Sequence, residues 1–288
     1  MLPDPPFPCR TAAVIATMHA KERAIAPVLV RNLGVEAMLA PGLDTDRFGT
    51  FSREIERVGS QLDAARAKIA AAFEIVPSAR IAVASEGSFG PHPVVPFLPL
   101  GRELVLLVDR ETGLELAGHD ASSKTNFAHQ LCTTPDQALA FASQCRFPTH
   151  GVIVIGCSGD EPDPKRCLMK DIASHAALAE AVHSVIAECG AAFVETDMRA
   201  HRNPTRMIAI RRATRDLVRS FRRRCPQCGQ PGFDVSERVP GLPCGWCGEP
   251  TRLPRSEIAR CRSCGHRLER PATATSFADP GHCEGCNP

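Results

Sequence analysis

The sequence predicts an α/β protein with a largely parallel sheet flanked by helices, followed by a small C-terminal domain built on cysteines. Three observations lead there. Short apolar runs of strand length, at 11–17, 80–85, 150–155 and 193–196, alternate with longer stretches of helical periodicity, as strand–helix–strand units do. The helical stretches carry their own start and stop residues. In the last quarter the chain changes character, with eight of its 14 cysteines falling in four Cys-x-x-Cys pairs. The organisation expected is a disordered Pro-rich arm over 1–10, an α/β domain over 11–222 and a cysteine-built domain over 223–288. An arrangement of the α/β part in two lobes fits the same pattern.

In chain order, the run at 11–17 reads as a buried strand. It is followed by a helical stretch to Leu33, with Gly34 as a stop in the left-handed conformation and Pro27 forcing a late start or a kink. Residues 35–40 form a short second strand. Ser52 is placed to cap a short helix through Val58, and Ser60 with Asp63 makes a capping box for a longer one. The strand at 80–85 runs into Glu86-Gly-Ser-Phe-Gly-Pro-His92, which is rich in turn residues. Residues 104–108 and 114–117 read as a hairpin. Helices are expected at 135–145 and 172–189, the second stopped by Gly190. Asn203-Pro204 opens a last helix to about Arg224, with Asn at the cap and Pro at the first helical position.

The cysteine pairs are Cys225/Cys228, Cys244/Cys247, Cys261/Cys264 and Cys283/Cys286. Two residues between cysteines let one tight turn aim both thiolates at one metal, and a second turn completes a tetrahedron. Eight thiolates make two structural zinc sites, closed to water and substrate. Gly229, Gly245, Gly248 and Gly265 suit such turns. Pairing of neighbours, a central pairing and a cross-braced pattern all satisfy the spacing.

Charge is uneven. The whole chain carries +2, residues 1–198 carry −7 and residues 199–288 carry +9. The C-terminal stretch therefore suits an anionic partner, nucleic acid or protein. No apolar run is long enough to span a bilayer, and the N-terminus lacks the form of a signal peptide. The cytoplasm, where paired thiols bind zinc in preference to forming disulfides, is the expected compartment.

Ligands in open α/β folds collect at the carboxyl ends of strands, and three polar clusters fall at predicted strand ends. Thr17, His19 and Lys21 follow the first strand. Ser85, Glu86, Ser88 and His92 follow the third. Arg199, Arg202, Asn203 and Arg206, with His201, stand before the last helix, where cations oppose the helix dipole unless an anion is bound. Asp46 and Glu54 supply carboxylates nearby.

Taken together, Ala16-Thr-Met-His-Ala-Lys-Glu22, Asp44-Thr-Asp-Arg-Phe-Gly-Thr-Phe51, Ser85-Glu-Gly-Ser-Phe-Gly-Pro-His-Pro93 and Asp197-Met-Arg-Ala-His-Arg-Asn-Pro-Thr-Arg-Met207 resemble the motifs of an uncharacterised bacterial family, a domain of unknown function with a Cys-x-x-Cys tail. More distantly, Ala16-Thr17 with Lys21, Thr50-Phe51 with Glu54 and Lys68, Ser85–Ser88 and the 201–206 segment resemble inosine-triphosphate pyrophosphatase-like enzymes, although Lys68 lies late and the paired Asp before Ser-Gly is missing. A likeness to two-lobed ligand-binding folds would put the same clusters around a cleft.

The resulting expectation is a metal-assisted hydrolase acting on a phosphorylated small molecule, most naturally a nucleotide. His19, Lys21, Glu86 and His201 take the catalytic roles. Thr17, Ser85, Ser88, His92, Arg199, Arg202, Asn203 and Arg206 bind substrate. Mg²⁺ is a further cofactor, held by Glu86 with Glu54 or Asp46. The alternative is a non-catalytic module that binds an anionic metabolite.

Overall fold

A computed structural model describes residues 7, 11–50, 53–55, 57 and 59–288. The expected arm over 1–10 falls almost wholly outside them, as do Ser52 and Val58, the ends proposed for a short helix. The chain divides into two compact units, one ending at Val218 and one of Arg219–Pro288.

The first unit opens with β1 (Ala12–Ala16), α1 (Glu22–Leu33) and β2 (Glu36–Leu39). Gly34 ends α1 at φ 68°, its N–H bonded to the Val30 carbonyl. α2 (Gln61–Ile75) starts at the Ser60/Asp63 capping box, both halves of which form. β3 (Ile81–Pro91), β4 (Pro99–Asp109) and β5 (Leu114–Ser122) complete a five-stranded sheet in the order β2-β1-β3-β4-β5. Side chains alternate across it. Val14, Ala16, Ala82, Ala84, Leu104 and Leu106 pack with Ala65, Ile69 and Ala72 of α2.

A second sheet follows, from β6 (His129–Cys132), α3 (Pro135–Gln144), β7 (Val152–Ser158), β8 (Glu161–Pro162), β9 (Leu168–Met169), α4 (His175–Cys189) and β10 (Ala192–Thr196). Its order is β6-β10-β7-β8, with β9 also on β7. Helices α3 and α4 cover one face through Phe141, Leu178, Val182 and Val185. α5 (Pro204–Arg222) begins at Asn203, whose side-chain oxygen accepts the Arg206 N–H at 3.0 Å. α5 returns to the first sheet, where it lies so close to β5 that a Cβ on Gly118 would sit 2.3 Å from the Ala213 carbonyl oxygen.

The largely parallel sheet expected from the sequence does not form. Among the described residues only β1–β2 and β1–β3 pair in parallel, and every other strand pair is antiparallel. The reason lies in the connections. Residues 92–98 join β3 to β4 and residues 110–113 join β4 to β5, whereas a parallel crossover takes about a dozen residues or more. In the second sheet α4 returns the chain so that β10 inserts between β6 and β7, antiparallel to both. A further correction concerns Glu86–Ser88. The extended chain does not end at Ser85, and Glu86, Gly87 and Ser88 pair with Leu104, Glu103 and Arg102 in the middle of a long ribbon.

In the second unit β11 (Asp234–Pro240), β12 (Pro254–Arg260) and β13 (Arg267–Pro271) form an antiparallel sheet in sequence order. The four Cys-x-x-Cys turns lie before, between and after these strands. No helix among the described residues is long and apolar enough to cross a membrane.

Candidate functional site

Strand β1 ends in a loop where His19 and Ala20 adopt consecutive left-handed conformations, φ 60° and 58°. Non-glycine residues hold such backbone only where surrounding structure enforces it. The turn delivers Lys21 to the start of α1 and His19 to its flank. Here a small cavity of about 30 Å³ forms within the first unit, with Lys21 and His19 on one side, Asp46 and Thr50 beyond β2, and Lys68 and Glu86 from α2 and β3. Lys170, Arg199 and Arg206 close it.

Lys21 is 5% exposed and donates a single hydrogen bond, 3.2 Å to the Ser85 carbonyl. Among the described residues no carboxylate stands within 4.0 Å of its nitrogen. Burial, then the neighbouring charges of Arg206 and Lys68, push it down to about 7, against the pull of Glu86 and Glu103. The other lysines of the pocket are paired: Lys68 with Glu86, and Lys170 with Glu54 at 2.6 Å. Glu86 also faces Arg57 at 3.6 Å.

Arg206 is 2% exposed and donates through Nε to Glu103 at 2.7 Å and through Nη1 to the Met198 carbonyl. Gly87, opposite Glu103 in the ladder, leaves the room this pair needs. A Cβ there would stand 2.7 Å from Arg206 Nη2 and 2.8 Å from Glu103 Oε1. Burial raises Glu103 above the usual carboxylate range, opposed by Arg206. For Arg199, burial is outweighed by the carboxylates of Asp197 and Asp171, at 2.7 and 2.8 Å, which raise it. The rings of His19 and His201 stack at 4.9 Å, and His19 Nε2 lies 3.1 Å from Asp46 Oδ1. Both imidazoles are lowered, principally by burial.

The structure therefore brings His19, Lys21, Glu86, Arg199, His201 and Arg206 together from three distant segments. Other proposed residues stand apart. His92 Nδ1 accepts the N–H groups of Val94 and Val95, and so caps the β3–β4 turn. Thr17 donates to the adjacent Met18 carbonyl. Arg202 donates to the Ile172 carbonyl, and Asn203 is buried as the α5 cap, bonded also to Asn126. Ser88 faces Arg102 across the ladder, and Ser85 serves through its carbonyl.

Several partners were not among the expected site residues. Lys68 and Glu103 have a sequence signal, a charge on an otherwise apolar helix face and a charge beginning an apolar strand. Lys170 has none. Among the described residues only cysteines bring three or more His, Cys, Asp or Glu ligand atoms together, and no such group supports Mg²⁺ at Glu86.

In the second unit the cysteines form two such groups, Cys225/Cys228/Cys261/Cys264 and Cys244/Cys247/Cys283/Cys286. The pairing is cross-braced, first with third and second with fourth. Sulfur separations of 3.7 and 3.6 Å in the first group, and 3.6 and 3.9 Å in the second, match the edge of roughly 3.8 Å that a tetrahedron of thiolates at the usual zinc–sulfur distance has. Three turns are built alike. Gly229, Gly248 and Gly265, at φ 72–76°, return their N–H to the first cysteine's carbonyl, and Asn287 takes that place in the fourth. Gly245 is different: it is not left-handed, and a Cβ there would press on the Ala278 carbonyl oxygen at 3.3 Å. These groups could hold metal ions such as zinc.

No curated protein matches the chain. One family model does, over residues 70–288, described as a domain of unknown function, DUF6671. Its span takes in Glu86, Glu103, Lys170, Arg199, Arg206 and all eight clustered cysteines, and begins beyond His19, Lys21 and Lys68. With about three quarters of its length matched, the chain belongs to the DUF6671 family, a domain of unknown function.

Proposed function

We propose that the first unit binds and processes an anionic small molecule, phosphorylated or carboxylated, in the pocket lined by Lys21, Arg199 and Arg206. The observation that carries this is Lys21, a buried amine with one carbonyl partner and, among the described residues, no carboxylate within 4.0 Å, beside four further basic side chains, Lys68, Lys170, Arg199 and Arg206. An anion entering beside it would supply the missing charge and let the ammonium form. Arg199 and Arg206, already oriented by Asp197, Asp171 and Glu103, present fixed donors. The stacked His19–His201 pair, both imidazoles lowered by burial and so held in the neutral form, offers a proton acceptor. Hydrolysis of a phosphorylated substrate is the reaction expected. With Glu86 engaged by Lys68 and Arg57, the weight of that expectation rests on these cations and not on Mg²⁺. The test is incubation with nucleotides and sugar phosphates, with and without Mg²⁺, while following phosphate release and thermal midpoint. Release supports an enzyme; stabilisation by a compound recovered intact supports a binding module; the absence of both removes the support for the proposal.

For the second unit we infer two structural zinc ions, held in the reducing cytoplasm. Metal analysis of the purified chain is expected to give two zinc per chain. A contact with nucleic acid is a second reading, favoured by the exposed row Arg211, Arg215, Arg219 and Arg222 on α5. RNA binding that weakens steeply with salt would support it, and none at low salt would remove it.

A further inference from the structure

We infer that Lys21 is a nucleophile that condenses with the carbonyl group of an anionic aldehyde or 2-oxo acid to form an imine in the pocket. The inference rests on the anion-binding reading above and deepens it by naming a substrate class.

Three features of the geometry single out this amine. A nucleophilic lysine needs its lone pair, and a carboxylate partner would hold the proton in place. Of the three lysines lining the pocket, Lys68 is ion-paired with Glu86 and Lys170 with Glu54, while Lys21 has only the Ser85 carbonyl. Arg206 and Lys68 line the same pocket and act on it as neighbouring cations, disfavouring a further positive charge on the free amine. Those same cations, with Arg199, attract the anionic end of a substrate and so hold its carbonyl near the amine. The buried floor also limits water, which would reverse the condensation.

The step balances without a redox partner. The Lys21 lone pair forms the carbon–nitrogen bond. The carbonyl oxygen then leaves as water, carrying one proton from the amine and one delivered from solvent past His201. The product is a protonated imine, whose positive charge sits where the pocket draws the substrate's anionic group.

The chain has only five lysines, at 21, 68, 124, 165 and 170, which makes the test selective. The full-length protein is treated at pH 7.5 with glyoxylate or with glycolaldehyde phosphate, each with cyanoborohydride, and the adduct is located by intact mass and peptide mapping. Among the lysines a preferred addition on Lys21, slowed by sulfate and outpacing exposed Lys124 and Lys165 at least tenfold, is expected. Which aldehyde reacts faster tells whether carboxylate or phosphate is the anchoring group. Lys21→Arg should lose the addition, and the wild-type map stands even if that variant fails to fold. Addition spread over Lys124 and Lys165 with Lys21 unmodified, or no addition, overturns the inference. Sulfate binding measured in parallel separates the two levels: binding without adduct overturns the imine alone, and absence of both overturns the pocket reading as well.

Discussion

At Lys21 burial and two neighbouring cations act in the same direction, and the consequence can be followed through pH. Its folded-state value near 7 lies below the ordinary 10.5, so between these limits the unfolded chain binds the extra proton. A group depressed in this way contributes stability that is complete above about 10.5 and lost as pH falls towards 7. Lys21→Met removes that dependence. The variant should gain on wild type by roughly 2–3 kcal/mol more at pH 7 than at pH 9, read from urea unfolding. Equal differences at both pH values would show that the amine is not depressed. Gly87 poses the opposite problem, of space. In Gly87→Ala the new methyl must displace the Arg206–Glu103 pair, with an expected loss of about 1–3 kcal/mol and weaker anion binding. Full stability with unaltered binding would mean that the pair is not held as described. The glycine was visible in the sequence as part of a turn-rich cluster. Its reason, a guanidinium crossing the strand 119 residues away in the chain, was not.

Among the elements, the best-read ones are those whose instructions are local. The Ser60/Asp63 capping box, the Gly34 and Gly190 stops and the Asn203 cap all form where the residues place them. Strand direction is not a local property. β3 and β4 lie antiparallel because seven residues cannot carry the chain back over the sheet, and Glu86 lies mid-strand because Gly87–Pro91 stays extended against β4. The cysteine turns follow the same division: spacing gives each turn, while β11–β12–β13 pairing decides which turns meet. The cross-brace makes a discriminating prediction. Cys225→Ser combined with Cys261→Ser disables one group and should leave one zinc per chain by native mass spectrometry. Pairing of neighbours would place those cysteines in different sites, and both metals would then be lost.

Across the whole molecule, the chain separates a unit held by apolar sheets and helices from one held by its thiolate groups. The second unit's two four-cysteine groups could hold metal ions such as zinc, and the reaction proposed above is placed in the first. In the first, the convergence of the 17–22, 85–88 and 197–206 segments on one part of the fold was legible as a set of strand-end clusters, though for one cluster the strand does not end there. The residues that neutralise one another across the site were largely not legible, because ion pairs such as Lys170–Glu54 and Arg53–Glu195 join positions more than a hundred residues apart. Among the described residues the pocket leaves one amine, Lys21, with no carboxylate within 4.0 Å, and on the reading proposed above an anion bound beside it brings a proton with it. Calorimetric titration with sulfate at pH 8, in two buffers of different ionisation enthalpy, measures that proton. One saturable site with uptake approaching one proton, lost in Lys21→Met, is the predicted result; no saturable binding, or binding indifferent to Lys21→Met, would contradict it.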